Sequence, residues 1–254
     1  MSTPTPAVSV PPVLARWGVT PEQLAVWRAK ALAVHQRLLA HYGTPRIHRR
    51  PPLDELVLTI LSQNTNDRNR DRAYAALRAR FPSWEAVRDA DPQAVIETIR
   101  PAGLANQKGP RIQAVLRAIT AQRGDLDLSF LAGWPVEEAR AWLMQFKGVG
   151  PKTAAIVLLF SLGKPAFPVD THIYRVTGRL GLRPPHWSVE RTHVLMEHIF
   201  PPETYEAAHL NLIYLGRDVC RPRKPRCARC PVRSLCDAAA RMDGGAASAG
   251  GGAA

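Results

Sequence analysis

The chain has 254 residues and a formal net charge of +13, long enough to bury a sizeable core in one or two domains. No apolar run approaches the roughly 18 to 20 residues that span a bilayer, and the N-terminus lacks a basic segment followed by an apolar one. A membrane span and a secretory leader are therefore excluded from the reading, and the charge favours an acidic polymer as partner, although surplus arginine can also simply keep a surface soluble.

Residues 1–12, rich in Ser, Thr and Pro, read as a disordered N-terminus, and 241–254, mostly Gly and Ala, as a disordered tail. Helical periodicity dominates between them. Pro21-Glu22 opens a helix in which Leu24, Trp27, Ala31, Val34 and Leu38 share an apolar face, ending near Gly43. Further helices are predicted over 53–63, 67–80, 92–99, 107–123, 135–146, 151–162, 171–181, 188–199, 203–217 and 228–239. No alternating strand pattern emerges, so the fold class is all-α.

Only six of the 34 basic residues are lysine: Lys30, Lys108, Lys147, Lys152, Lys164 and Lys224. Where arginine is the default cation, an individual lysine has more reason to be there, because only an amine can lose its proton and attack carbon. Lys152 follows a turn, Lys147-Gly148-Val149-Gly150-Pro151, set between two predicted helices. Two glycines let a backbone approach another molecule without a Cβ in the way, and the first amides of the next helix suit a phosphate. At the second helical position, a cation opposes the helix dipole, which favours the neutral, nucleophilic amine. Such an amine can form a Schiff base; a surface lysine or a phosphate contact is the plainer alternative. Asp170 precedes a predicted helix and is explained by capping alone, yet a cap carboxylate can also handle protons or stabilise a cationic transition state.

All four cysteines, Cys220, Cys227, Cys230 and Cys236, fall in one C-x6-C-x2-C-x5-C stretch. The spacing is too tight for two comfortable disulfides and points to a metal centre, with zinc and iron–sulfur both open on spacing alone. Thiols confined to one cluster, without an export signal, imply a reducing interior and hence a soluble intracellular protein. Four basic residues, Arg221, Arg223, Lys224 and Arg226, lie between the first two cysteines and form a phosphate-contacting loop.

In this order, the segment Gly148 to Ala154, the segment Val169 to Val176 and the cysteine quartet resemble the endonuclease III family of base-excision DNA glycosylases, over about residues 22–237. The resemblance implies a two-domain helix-hairpin-helix fold. Residues 44–164 would form a six-helix barrel, 13–43 and 165–240 a discontinuous iron–sulfur domain, with a DNA cleft between them. Lys152 resembles the family's attacking lysine and Asp170 its essential aspartate. The chemistry implied is attack at C1′ of a flipped nucleotide, loss of an oxidised pyrimidine, and nicking by β-elimination. The quartet resembles the ligands of a [4Fe-4S] cluster. Leu104 matches an apolar wedge, and Lys147, Gly148, Val149, Gly150 and His172 fall in DNA-contacting motifs.

One stretch departs from the family pattern: where relatives read Ser-Ala-Gln-Ala-Thr, this chain has Ser62-Gln63-Asn64-Thr65. The residue that fills the gap left by the flipped base is Asn64 by plain alignment, or Gln63 if the turn shifts by one. Phe146-Lys147 replaces the usual Leu-Pro, with Phe146 expected in the core. The implied partner is duplex DNA carrying damaged bases or abasic sites, bound by a monomer in a bacterial cytoplasm at the nucleoid. An adenine- or thymine-mismatch glycosylase of the same superfamily is the alternative, as is a non-catalytic iron–sulfur DNA-binding or redox protein.

Overall fold

The computed structural model describes residues 9–249, the side chains of 244–249 excepted. Among the described residues there is no strand. In chain order the α-helices are α1 Pro12–Ala15, α2 Pro21–Tyr42, α3 Pro52–Ser62, α4 Asp67–Arg80, α5 Trp84–Asp89, α6 Pro92–Thr98 and α7 Ala105–Arg123. They continue with α8 Val136–Met144, α9 Pro151–Ile156, α10 Thr171–Leu180, α11 Val189–Ile199, α12 Tyr205–Asp218 and α13 Asp237–Ala249. The helices group into two compact units, Ile47–Pro168 and a discontinuous one from Met1–Arg46 with Val169–Ala254.

Caps set the helix ends. Thr20 and Gln23 exchange side-chain and backbone bonds in a capping box at α2, with Pro21 at the first helical position. Asn66, Ser83, Asp91, Asp170 and Ser188 each accept a backbone N–H at the start of the helix that follows. Gly43, at φ 78°, closes α2 in a backbone conformation that side chains rarely adopt.

In the continuous unit, α3 is buried along almost its whole length and forms the axis of the core. Leu56, Ile60, Leu77, Ile112, Leu116 and Leu158 are fully buried around it. Ala166 is fully buried in the same core, which carries this unit on to Pro168. In the discontinuous unit α12 packs on α2 and α10, and α11 on α2. Leu24, Val34, Leu38, Ile173, Val176 and Leu212 are fully buried there.

Several elements differ from the sequence expectation. Helix α5 was not expected: at six residues it is too short to show a period, although Ser83 is an ordinary cap signal. Pro135 precedes α8 as its cap and does not begin it. Beyond Ile156, the helix expected to reach 162 widens into a π turn over Val157–Ser161, where the Leu162 amide bonds the Val157 carbonyl. The helix expected over 228–239 is replaced by two 3-10 turns, Cys227–Arg229 and Arg233–Leu235, and α13 starts only at Asp237. Cysteine side chains must face one common site, which continuous helical geometry over that stretch would not allow. The backbone of α13 continues through Ala249, where a disordered tail was expected; 250–254 lie outside the described residues, as do 1–8 of the expected disordered N-terminus.

Candidate functional site

The hairpin between α8 and α9 belongs to the continuous unit. Phe146 is 4% exposed and packs edge-on against Trp142 at 4.9 Å, which anchors the end of α8. The chain then turns through Gly148 at φ 90°. The Val149 side chain is buried and its amide bonds the Phe146 carbonyl at 3.0 Å, so it plugs the hairpin into the core. Lys147 is exposed at the tip. A Cβ at Gly150 would meet no atom within 4 Å, so this backbone is open to a close approach from outside.

Lys152 is the second residue of α9, half-buried, with Thr153 to Leu159 buried behind it. Glu55, buried on α3, lies within the electrostatic reach of Lys152. Burial pushes the Glu55 carboxyl above the ordinary range, and Arg50, Arg70 and Lys152 pull it back. Sequence reasoning missed Glu55, whose only signal was an acidic residue within an otherwise apolar helical run.

Two further loops of this unit carry the remaining barrel candidates. Gln63 ends α3 and is half-buried; its Nε2 donates to the Gly148 carbonyl at 3.2 Å, and its Oε1 accepts from Arg111 Nη1 at 2.8 Å. Asn64 is exposed and held at φ 52°. Leu104 stands at φ 51°, just before α7, and is 46% exposed. An apolar side chain so placed is both strained and uncovered.

In the discontinuous unit, the Asp170 side chain caps α10 by accepting the Ile173 amide at 2.8 Å. His172 is half-buried, bonds Arg175 Nη2 through Nδ1 at 3.2 Å, and packs against Gly216. Burial holds its imidazole below the usual range while Asp170 raises it, so the two groups sense one another.

Cys220, Cys227, Cys230 and Cys236 are half-buried and unbridged, and all four line one cavity of about 120 Å³. Leu180, Leu215, Val219, Val232 and Ala239 supply much of its remaining wall. Burial pushes the Cys230 thiol up, and the other three cysteines push it further, as expected for sulfurs crowded about one space. Among the described residues no three His, Cys, Asp or Glu side chains form a group able to hold a single metal ion; the sulfurs surround a space and do not converge on a point. Arg179 was not anticipated. Its Nη1 donates to Cys220 Sγ at 3.4 Å and to the Arg221 carbonyl at 2.6 Å, its Nη2 to the Pro222 carbonyl at 2.9 Å, and its own carbonyl accepts from Cys236 Sγ at 3.3 Å. It ties the basic loop to the thiol cavity. Within the loop Arg223 and Lys224 are exposed and Lys224 is held at φ 50°, while Arg226 pairs with Asp218 at 3.2 Å and Arg221 Nε donates to the Asp218 carbonyl at 3.1 Å.

Residues 57–202 match the family described as HhH-GPD superfamily base excision DNA repair protein. A protein named as a DNA glycosylase in Arabidopsis thaliana is 39% identical over 178 residues, which cover 70% of this chain and 60% of the plant protein. Endonuclease III of Escherichia coli strain K12 is 31% identical over 218 residues, covering 85% of this chain and 99% of the bacterial enzyme. Among solved structures, a trapped endonuclease III–DNA covalent intermediate superposes with a TM-score of 0.73 at 25% identity, covering 85% of this chain and 98% of that one. The chain thus spans less than two thirds of the plant relative and nearly all of the bacterial one. It belongs to the HhH-GPD superfamily of base-excision DNA repair proteins and, within that class, to the endonuclease III family of enzymes. None of the described helices is long and apolar enough to cross a membrane.

Proposed function

We propose that this protein is a bifunctional DNA glycosylase and abasic-site lyase that removes oxidised pyrimidines from duplex DNA. The placement of Lys152 carries the reading: it lies in the first turn of a helix just after Gly150, whose backbone is open to close approach, with a mostly apolar buried wall at its back. The solved relative trapped as a covalent DNA intermediate supports a covalent route.

In this reading the damaged nucleotide leaves the stack, because no amine can reach its sugar inside the duplex. The Lys152 amine forms a bond to C1′ as the bond from C1′ to the base breaks, and the base leaves with a proton. Opening of the sugar ring gives a Schiff base. Removal of a C2′ proton then expels the 3′ phosphate, and water releases the enzyme. Asp170 is assigned proton handling and stabilisation of the positive charge developing on the sugar. Leu104 is the wedge, and Lys147, Gly148, Gly150 and His172 contact the backbone, with Val149 seating the hairpin. Asn64 fills the gap, since it is exposed at the tip of its turn while Gln63 is bonded to Gly148 and Arg111.

Cys220, Cys227, Cys230 and Cys236 fit a [4Fe-4S] cluster, because four thiols share one apolar-walled cavity. Such a cluster would clamp the loop that presents Arg221, Arg223, Lys224 and Arg226 to phosphates. The partner is damaged or abasic duplex DNA, met by a monomer at the bacterial nucleoid.

The test is borohydride reduction during reaction with lesion-bearing duplexes. The wild-type protein should become cross-linked to DNA and Lys152→Ala should not. Cross-linking that survives in Lys152→Ala would remove the lysine from this role. Binding without base release or nicking across a lesion panel would favour the non-catalytic reading.

A further inference from the structure

Helix α7 places two cations where three loops of the continuous unit meet. Lys108 is 1% exposed, and its Nζ donates to the Leu61 and Ala102 carbonyls, both at 2.8 Å. Leu61 lies just ahead of the Gln63-Asn64 turn, and Ala102 directly precedes Gly103-Leu104. One turn further along α7, Arg111 bonds Gln63, and Gln63 bonds the hairpin at Gly148. Asn64 and Leu104, the two exposed tips, both sit at positive φ. Residues held in such conformations persist only where their surroundings over-determine them, and Lys108 is a restraint common to both loops. Burial and the nearby Arg111 lower the affinity of Lys108 for its proton. Charged or neutral, the amine keeps at least two N–H donors for the two carbonyls, so the clamp does not depend on its protonation state.

We infer that Lys108 is a positioning residue that holds the gap-filling loop and the wedge loop at a fixed separation, so that both enter a duplex as one rigid tool, while Arg111 ties the gap-filling loop to the hairpin through Gln63. The inference rests on the proposed glycosylase function and concerns only the step that opens the stack. Chemistry at an already unstacked nucleotide should not need the clamp.

The experiment compares one oxidised pyrimidine in two settings, a fully paired duplex and a mismatched bubble, by single-turnover base release. Unstacking costs least where pairing is already lost. Lys108→Met keeps the apolar stem and removes the donors; its rate should fall about tenfold or more on the paired duplex and by about twofold or less on the bubble, since the cost of unstacking is at stake only in the first. Equal falls on both substrates would make Lys108 merely structural and overturn the inference, as would no fall on either. Should Lys108→Met not fold, Lys108→Gln, whose donor nitrogen stands one bond short of the Lys108 amine and its two carbonyls, carries the same comparison under the same criteria. Wild-type protein that releases no base from either substrate would overturn the glycosylase reading, and this inference with it.

Discussion

The Arg111 side chain occupies the space that any side chain at Gly148 would need. A Cβ there would come within 2.4 Å of Arg111 Cδ, and Gly148 already sits at φ 90°. Glycine at this position therefore does two things at once: it permits the turn, and it leaves room for the Arg111 side chain to pass the hairpin on its way to Gln63.

Gly148→Ala should consequently both strain the turn and push Arg111 away. Destabilisation of about 1 to 3 kcal/mol is expected from the backbone conformation, with weaker binding to duplex DNA as the hairpin shifts. Thermal unfolding and a binding titration would check this. Gly150→Ala, where nothing lies within 4 Å, should leave stability almost unchanged, so that any loss of DNA binding reports approach of the ligand.

Asp170 has a structural task and a proposed chemical one, and two substitutions separate them. Asn caps helices about as well as Asp, so Asp170→Asn should keep stability within a few tenths of a kcal/mol, while Asp170→Ala loses about 1 kcal/mol. If the carboxylate handles protons, both should lower base release by roughly 10²- to 10⁴-fold. Melting curves alongside single-turnover rates distinguish the roles; an active Asp170→Asn would reduce Asp170 to a cap.

Cys236 links the thiol cavity to the Arg179 carbonyl. Protein purified without chelators should contain about four iron atoms and four sulfides per chain, with broad visible absorbance. Cys236→Ser should lower the iron content and unfold the basic loop, seen as easier proteolysis near Arg223. One zinc per chain and no sulfide would instead restore the zinc alternative.

Glu55 should make stability depend on pH. Its folded-state affinity for a proton is raised, mainly by burial, so its contribution is complete below the unfolded-state value and is lost as pH rises through the folded-state one. Glu55→Gln removes that loss, and the variant should therefore gain on the wild type between about pH 4 and neutrality. Melting temperatures of both proteins across this window give the sign. If Glu55 also helps to set the charge on Lys152, the substitution will shift the pH profile of borohydride trapping as well.

Sequence legibility followed the range of the forces involved. The hairpin, its lysine at the second helical position, the Asp170 cap and the cysteine run are local: propensity, turn chemistry and spacing act within a few residues, and the chain spells them out. Where local signals were weak, the reading slipped. Helix α5 is only six residues long, and the stretch from Cys227 to Leu235 holds two 3-10 turns where the sequence pattern suggests a helical period.

By itself, then, the sequence determined an all-helical chain, the residues of a glycine turn with its lysine and the four thiols near its end, because each of these is written in neighbouring positions. Which lysine would be exposed and which sealed in the core, it left open: Lys147 and Lys108 look alike in the chain, yet one stands in solvent and the other bonds carbonyls 47 and 6 residues away. Only tertiary structure decided that, and with it the separation of Gln63 as a strut from Asn64 as a tip. Packing of α7 against α3 brings distant carbonyls together, and a buried donor takes whichever acceptors the fold supplies.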